Sequence, residues 1–192
     1  MKVSVLIPAY NEEELLGDTL DSLRRVLPQA ELVVIDDCST DGTGTIALAQ
    51  DVVIASHSRN QGKAEALATG LNICSGEVIA MVDADMGPLA GEVLPLVNAV
   101  LQGECDMAVA IFASSQGGGI GLVRNLARWG IYLFSGQGLQ APLSGQRAAT
   151  RTLLEQCLPS RGGFGLETEL SLRALRRGFS VREISTGFIH RG

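Results

Sequence analysis

Five apolar residues in unbroken succession, Val78-Ile79-Ala80-Met81-Val82, run straight into Asp83 and Asp85. An apolar run without alternation forms a strand buried on both faces, and two acids at its end cannot follow it into a core. They must stand at a rim. In an open α/β sheet that rim, outside the carboxyl ends of the strands, is where ligands bind. Two carboxylates one residue apart repel unless something positive lies between them, and hard oxygen ligands suit Mg2+ or Mn2+. A solvated turn or a helix cap is the plainer alternative, because a short acidic pair is a weak motif by itself.

The same pattern recurs through the first half of the chain. Val3 to Ile7 is an apolar run bounded by Pro8, Glu31 to Ile35 closes on Asp36-Asp37, and Val52 to Ala55 is a shorter strand. Between them lie helical spacings: Leu16, Leu20, Leu23 and Leu27, then about Gly42 to Gln50, then Ala64, Leu67, Ala68 and Leu71. Strands alternating with helices predict βαβ units and a mostly parallel sheet with helices on both faces. The second half is less regular. It predicts helices over Gly91 to Leu101, Leu122 to Phe134, Thr150 to Cys157 and Leu166 to Arg177, and strands over Asp106 to Phe112 and Ser180 to Ser185. A short extended piece spans Pro142 to Arg147, and Ser114 to Gly121 and Arg161 to Gly165 are glycine-rich loops.

A chain of 192 residues, 46% hydrophobic and 19% charged, is enough for one globular domain with a sizeable core. A net charge of -6 without any Lys/Arg cluster longer than a pair argues against nucleic acid as the main partner. Cys38, Cys74, Cys105 and Cys157 stand far apart, so neither a zinc knuckle nor a redox pair is suggested. The first apolar run is too short for a secretory signal, and no stretch approaches the roughly 20 residues that span a bilayer. A cytoplasmic protein is expected, with membrane-surface association and homodimerisation left open. The chain stops at His190-Arg191-Gly192 without a closing helix, so a trimmed end is also open.

Each strand end in the first half sends polar groups to the same rim. The first offers Pro8, Tyr10, Asn11 and Glu12, the second Asp36, Asp37 and Ser39, the third Asn60, Gly62 and Lys63, and the fourth Asp83 and Asp85. A nucleotide diphosphate fits these parts, with its base and ribose against the first two ends and its phosphates against a divalent cation and Lys63. The first turn, Pro-Ala-Tyr-Asn-Glu, lacks Gly-x-Gly-x-x-Gly, and Walker A is absent, so dehydrogenase and P-loop chemistry are disfavoured. Lys63 taken alone reads more readily as a solvated turn lysine.

Four stretches in order then carry a resemblance: Ile7-Pro8-Ala9-Tyr10-Asn11-Glu12-Glu13, Val34 to Thr43, Asn60 to Leu67, and Val82-Asp83-Ala84-Asp85. They resemble the motifs of family 2 glycosyltransferases, which implies the GT-A nucleotide-diphospho-sugar transferase fold over residues 1–192. Residues 1–86 would be the nucleotide half and 87–192 the sugar and acceptor half. Pro142 to Arg147 and Gly163 to Glu169 are similar to the acceptor side of polyprenyl-phosphate sugar synthases and glucosyl-3-phosphoglycerate synthases.

The resemblance implies a donor site in which Pro8, Ala9, Tyr10, Glu12, Asp37, Ser39 and Ala84 hold the base and ribose and Lys63 lies near the nucleotide. Asp83 would face ribose or metal, and Asp85 would hold the Mn2+ or Mg2+ that bridges the diphosphate. His190 stands where the second of those groups has a metal-ligating histidine; His57 has no such support. Glu167 would bind sugar hydroxyls or lie near the acceptor, although an acid at a helix start has a plain electrostatic reading too. Gly119, Arg124, Gly145 and Arg147 would face an anionic small-molecule or lipid-phosphate acceptor, with Arg128 beside them. Inversion and retention stay open, since the two groups differ on that point. A nucleotidyltransferase and a catalytically silent nucleotide-sugar-binding module are the alternatives. The first lacks its usual glycine-rich phosphate loop, and the retention of Asp83, Asp85 and Lys63 speaks against the second.

Overall fold

The structure is a computed structural model that describes residues 1–114, 139–141, 143–159 and 165–189. Seven strands make one sheet: β1 (Val3–Ala9), β2 (Glu31–Asp36), β3 (Val53–Ser56), β4 (Val78–Met81), β5 (Met107–Ser114), β6 (Arg147–Thr150) and β7 (Val181–Ile189). Their order is β3-β2-β1-β4-β6-β5-β7. All neighbours are parallel except β6, which runs against both β4 and β5. The described helices are α1 (Leu16–Val26), α2 (Thr43–Leu48), α3 (Lys63–Ile73), α4 (Leu94–Leu101), α5 (Arg151–Cys157) and α6 (Leu166–Arg176), with a 3₁₀ segment over Ala84–Val93.

The unbroken apolar strands divide their side chains between two cores. Val5, Ile7, Val34, Val78 and Ala80 pack with Leu16, Leu20 and Leu23 of α1 and Leu96 and Val97 of α4. Leu6, Val33, Ile35, Ile79 and Met81 pack on the other face with α3, α5 and α6 through Leu67, Leu153, Leu154 and Leu170. Helix α1 has no side-chain cap. A cap contributes about 1 kcal/mol, whereas each buried leucine contributes about 1.5–3 kcal/mol, so the packed face holds α1 in place.

The expectations that fall on residues 115–138, 142, 160–164 and 190–192 lie outside the described residues. These include the Leu122 to Phe134 helix and both glycine-rich loops for most of their length. Elsewhere the main difference is around β6. The extended piece expected over Pro142 to Arg147 is a lead-in, and the strand itself begins at Arg147, with Thr150 capping α5 by accepting from the Leu153 N–H. The helix expected from Gly91 is preceded by the 3₁₀ segment from Ala84, which α1 secures through two hydroxyls. Thr19 donates to Ala84 O at 2.7 Å and accepts the Gly87 N–H at 2.7 Å, while Ser22 does the same for Pro88 O and the Gly91 N–H. The residues just after Asp83 are therefore fixed to α1.

At the opposite end of the sheet, buried Ser4 donates to Glu31 at 2.5 Å, and Ser75 reaches the same carboxylate through its N–H and its hydroxyl. Burial pushes the Glu31 carboxyl up, but these hydrogen bonds and Lys2 outweigh it and hold the group at about 2, against an ordinary 4.5. A depressed carboxylate contributes stability above its unfolded value, and that contribution is lost as pH falls through the folded value. Urea unfolding of Glu31→Gln is expected to lose part of the native chain's decline in stability between pH 4.5 and 2. Identical slopes in the two proteins would contradict this network.

Candidate active site

The carboxyl ends of β1, β2 and β4 open into one crevice of about 330 Å³, lined by Pro8, Ala9, Tyr10, Glu12, Asp37, Lys63, Ala66, Asp83, Ala84 and Asp85. Eight of the nine residues expected to hold a donor line it. Parallel register explains the convergence, since Ala9 pairs with Asp36 and Met81 with Leu6, which brings the segments after these strands to one rim. Ser39, the ninth, accepts the Asn11 N–H at 3.0 Å and ties the first two loops together behind the crevice. Ala66 on α3 also lines the crevice, a small buried residue outside the Ala64, Leu67, Ala68 and Leu71 face that the helical spacing marks.

Lys63, the first residue of α3, is the cationic centre. Its Nζ lies 2.6 Å from Asp83 Oδ1 and 3.2 Å from Glu167 Oε1. Burial alone would lower the lysine, but Asp83 and then Glu167 outweigh it and raise it above its ordinary value, so the ammonium stays charged. The turn that presents it depends on Gly62, whose φ of +86° is a conformation other residues rarely adopt.

Asp83 is held on three sides. Besides Lys63, it receives Gln146 Nε2–H on Oδ2 at 2.8 Å, and its own N–H donates to Gln146 Oε1 at 3.3 Å. Gly145 packs directly behind, where a methyl group would stand 2.6 Å from Asp83 Oδ2 and 2.9 Å from Lys63 Nζ. Gly145 thus backs the ion pair. Gln146 is 1% exposed and stands just before β6, whose antiparallel pairing with β4 sets Arg147 against Met81 and so brings the residues ahead of β6 beside Asp83. Nothing in a linear sequence announces that pairing.

Asp85 is exposed at the mouth of the crevice, two residues past Asp83. Glu12 faces it, and the Glu12 carboxyl is pushed up first by burial and then by the charges of Asp85, Asp41 and Asp83. Asp37 is the opposite case. It is 4% exposed, and although burial pushes it up, hydrogen bonds from His57 and the Gln61 and Gly62 N–H groups hold it below the usual carboxylate range.

One expected acceptor residue, Arg147, lies inside the protein. Arg147 is 1% exposed, with Nε donating to Ser144 O at 2.7 Å and Nη1 to Ser171 Oγ at 2.7 Å. Burial lowers its guanidinium to about 10 even though Glu167 and Glu183 pull the other way. It braces β6 against α6 and does not line the crevice, because the first residue of a central strand points one of its sides into the core. Glu167 sits on the first turn of α6 and meets the crevice through Lys63. Gly119, Arg124, Arg128 and His190 lie outside the described residues.

A charged crevice at the carboxyl ends of the strands, holding a fixed lysine among carboxylates, lies where open α/β sheets bind their ligands. The Glycosyl transferase family 2 model matches residues 4–154. The chain belongs to that family. It is similar to glucosyl-3-phosphoglycerate synthase of Mycobacterium tuberculosis, 30% identical over 91% of this chain and 61% of that protein. It is also similar to polyprenol monophosphomannose synthase of Mycolicibacterium smegmatis, 30% identical over 97% of this chain and 77% of the relative. The crystal structure of the mycobacterial glucosyl-3-phosphoglycerate synthase with Mn2+, UDP and glucosyl-3-phosphoglycerate superposes with a TM-score of 0.82 at 30% identity, covering 100% of this chain and 72% of that one. The same synthase with Mg2+ and UDP gives a TM-score of 0.84 at 29% identity, again over 100% of this chain and 72% of that one. The fold is therefore the GT-A fold of these enzymes.

Proposed function

We propose that this chain is a metal-dependent glycosyltransferase domain that moves a sugar from a uridine or guanosine diphosphate sugar to an acceptor bearing a phosphate or similar anion. The observation that carries this reading is the meeting of Lys63, Asp83 and Asp85 in one crevice at the strand rim. The solved relative is bound to UDP and Mn2+, and both named relatives make phosphate-bearing products.

A divalent cation suits the residues present. Glu12, Asp41, Asp83 and Asp85 gather closely enough to raise Glu12, while Lys63 is already engaged by Asp83 and Glu167. Among the described residues no group of three or more His, Cys, Asp and Glu could hold a metal ion. In this reading Mn2+ or Mg2+ would rest on Asp85 and Asp83 together with His190 and the donor phosphates, not on a protein cage alone. Once bound, the ion supplies positive charge to the leaving diphosphate. Lys63 adds a fixed ammonium for the same purpose. Pro8, Ala9, Tyr10, Ala84 and Asp37 form the wall for base and ribose. Gly119 and Arg124 remain the proposed acceptor contacts. An ionised phosphate acceptor needs no strong base; a hydroxyl acceptor would call on Glu167.

The test is a donor and acceptor screen with Mn2+ present. Calorimetry is expected to detect a uridine or guanosine diphosphate sugar, and the corresponding nucleoside diphosphate should be released only when phosphoglyceric acid or a polyprenyl phosphate is added. Indifference to every nucleotide sugar would overturn the reading.

A further inference from the structure

We propose that His57 is a positioning residue for nucleotide binding, acting through Asp37 on the turn that starts α3. The inference rests on the donor-site reading above. His57 follows β3, the edge strand, and does not line the crevice. Its side chain is nevertheless only 8% exposed, and both ring nitrogens are engaged. Nδ1 lies 2.6 Å from Asp37 Oδ1, and Nε2 lies 3.0 Å from Thr69 Oγ1 on α3. The His57 N–H also donates to Asp36 O at 2.9 Å.

The chemistry assigns the ring's orientation. Asp37 is held ionised and can only accept, so Nδ1 carries the hydrogen. In the neutral ring the Thr69 hydroxyl then donates to Nε2. Asp37 also accepts the Gln61 N–H on Oδ1 at 2.8 Å and the Gly62 N–H on Oδ2 at 2.7 Å. Gly62 is the N-cap of α3. Among the described residues His57 is the one side chain that donates to Asp37, and through it the ends of β2 and β3 and the start of α3 form a single network.

Removing the imidazole leaves a nearly buried carboxylate with backbone donors alone. Asp37 then turns or takes up a proton, and the wall it forms beside Pro8 and Ala9 changes shape. Lys63 Nζ is fixed separately by Asp83 and Glu167. The loss should therefore fall on nucleotide affinity and leave the transfer step largely intact.

The test titrates the whole chain with UDP, and in parallel GDP, in Mn2+, and measures transfer kinetics. His57→Leu is expected to weaken binding of the preferred nucleotide about 10-fold, the size expected for one charge-assisted hydrogen bond, with kcat within about twofold. His57→Asn restores an N–H to Asp37 and should return the affinity to within about threefold of native. Unchanged affinity in His57→Leu, a fall in kcat alone, or an Asn variant as weak as the Leu variant would overturn the inference. If His57→Leu loses its circular dichroism spectrum, Thr69→Val decides, since it removes only the Nε2 partner. It should weaken binding about threefold, and no change would count against the role. A native chain that binds neither nucleotide overturns the donor site itself, and this inference with it.

Discussion

Lys63→Ala is expected to lower kcat/KM for sugar transfer by about 10²–10³-fold, the usual consequence of deleting one preorganised charge aimed at a leaving group. The geometry makes the loss larger than that of an ordinary surface lysine. In the native chain one ammonium is held between Asp83 and Glu167 in a half-buried crevice. The alanine variant leaves both carboxylates facing the proposed position of the leaving diphosphate, so attraction would be replaced by repulsion. Arginine should restore little, because its planar fork cannot take the place of a point charge against which Gly145 closes so tightly. Initial rates with the donor varied, for native, Ala and Arg chains, check this. A kcat/KM within threefold of native in the alanine variant would return Lys63 to the role of a turn lysine.

The rim was legible because its causes are local. Val3 to Ile7, Glu31 to Ile35 and Val78 to Val82 are apolar without alternation, which states burial on both faces, and the polar residues after each must then share one edge. Parallel order turned that edge into a crevice, and Pro8, Ala9, Tyr10, Glu12, Asp37, Lys63, Asp83, Ala84 and Asp85 do line it. What escaped depends on register or on partners distant in sequence. Arg147 looked like an acceptor ligand because guanidinium suits phosphate, yet its position opposite Met81 in β4 draws it inside. Gln146 and Gly145 shape Asp83 through the same antiparallel pairing. His57 is a lone histidine in sequence, and its meaning comes from Asp37, 20 residues away, and Thr69, 12 residues away.

Asp85 is the second residue whose loss should be severe. It is the exposed carboxylate of the pair, whereas Asp83 has one oxygen on Lys63 and the other on Gln146. On the proposed reading, a cation that binds with the donor is therefore expected to depend more on Asp85 than on Asp83. The hydroxyl contacts from Thr19 and Ser22 hold the backbone that follows it, so the alanine variant should keep its fold and lose the ligand alone. The most direct measurement is calorimetric titration of the uridine or guanosine diphosphate sugar with and without Mn2+, in the native chain and in Asp85→Ala. The native chain should gain affinity with Mn2+, and the variant should bind roughly 100-fold more weakly in its presence, with little response to the metal. Binding that ignores Mn2+ and is the same in both proteins would contradict the site.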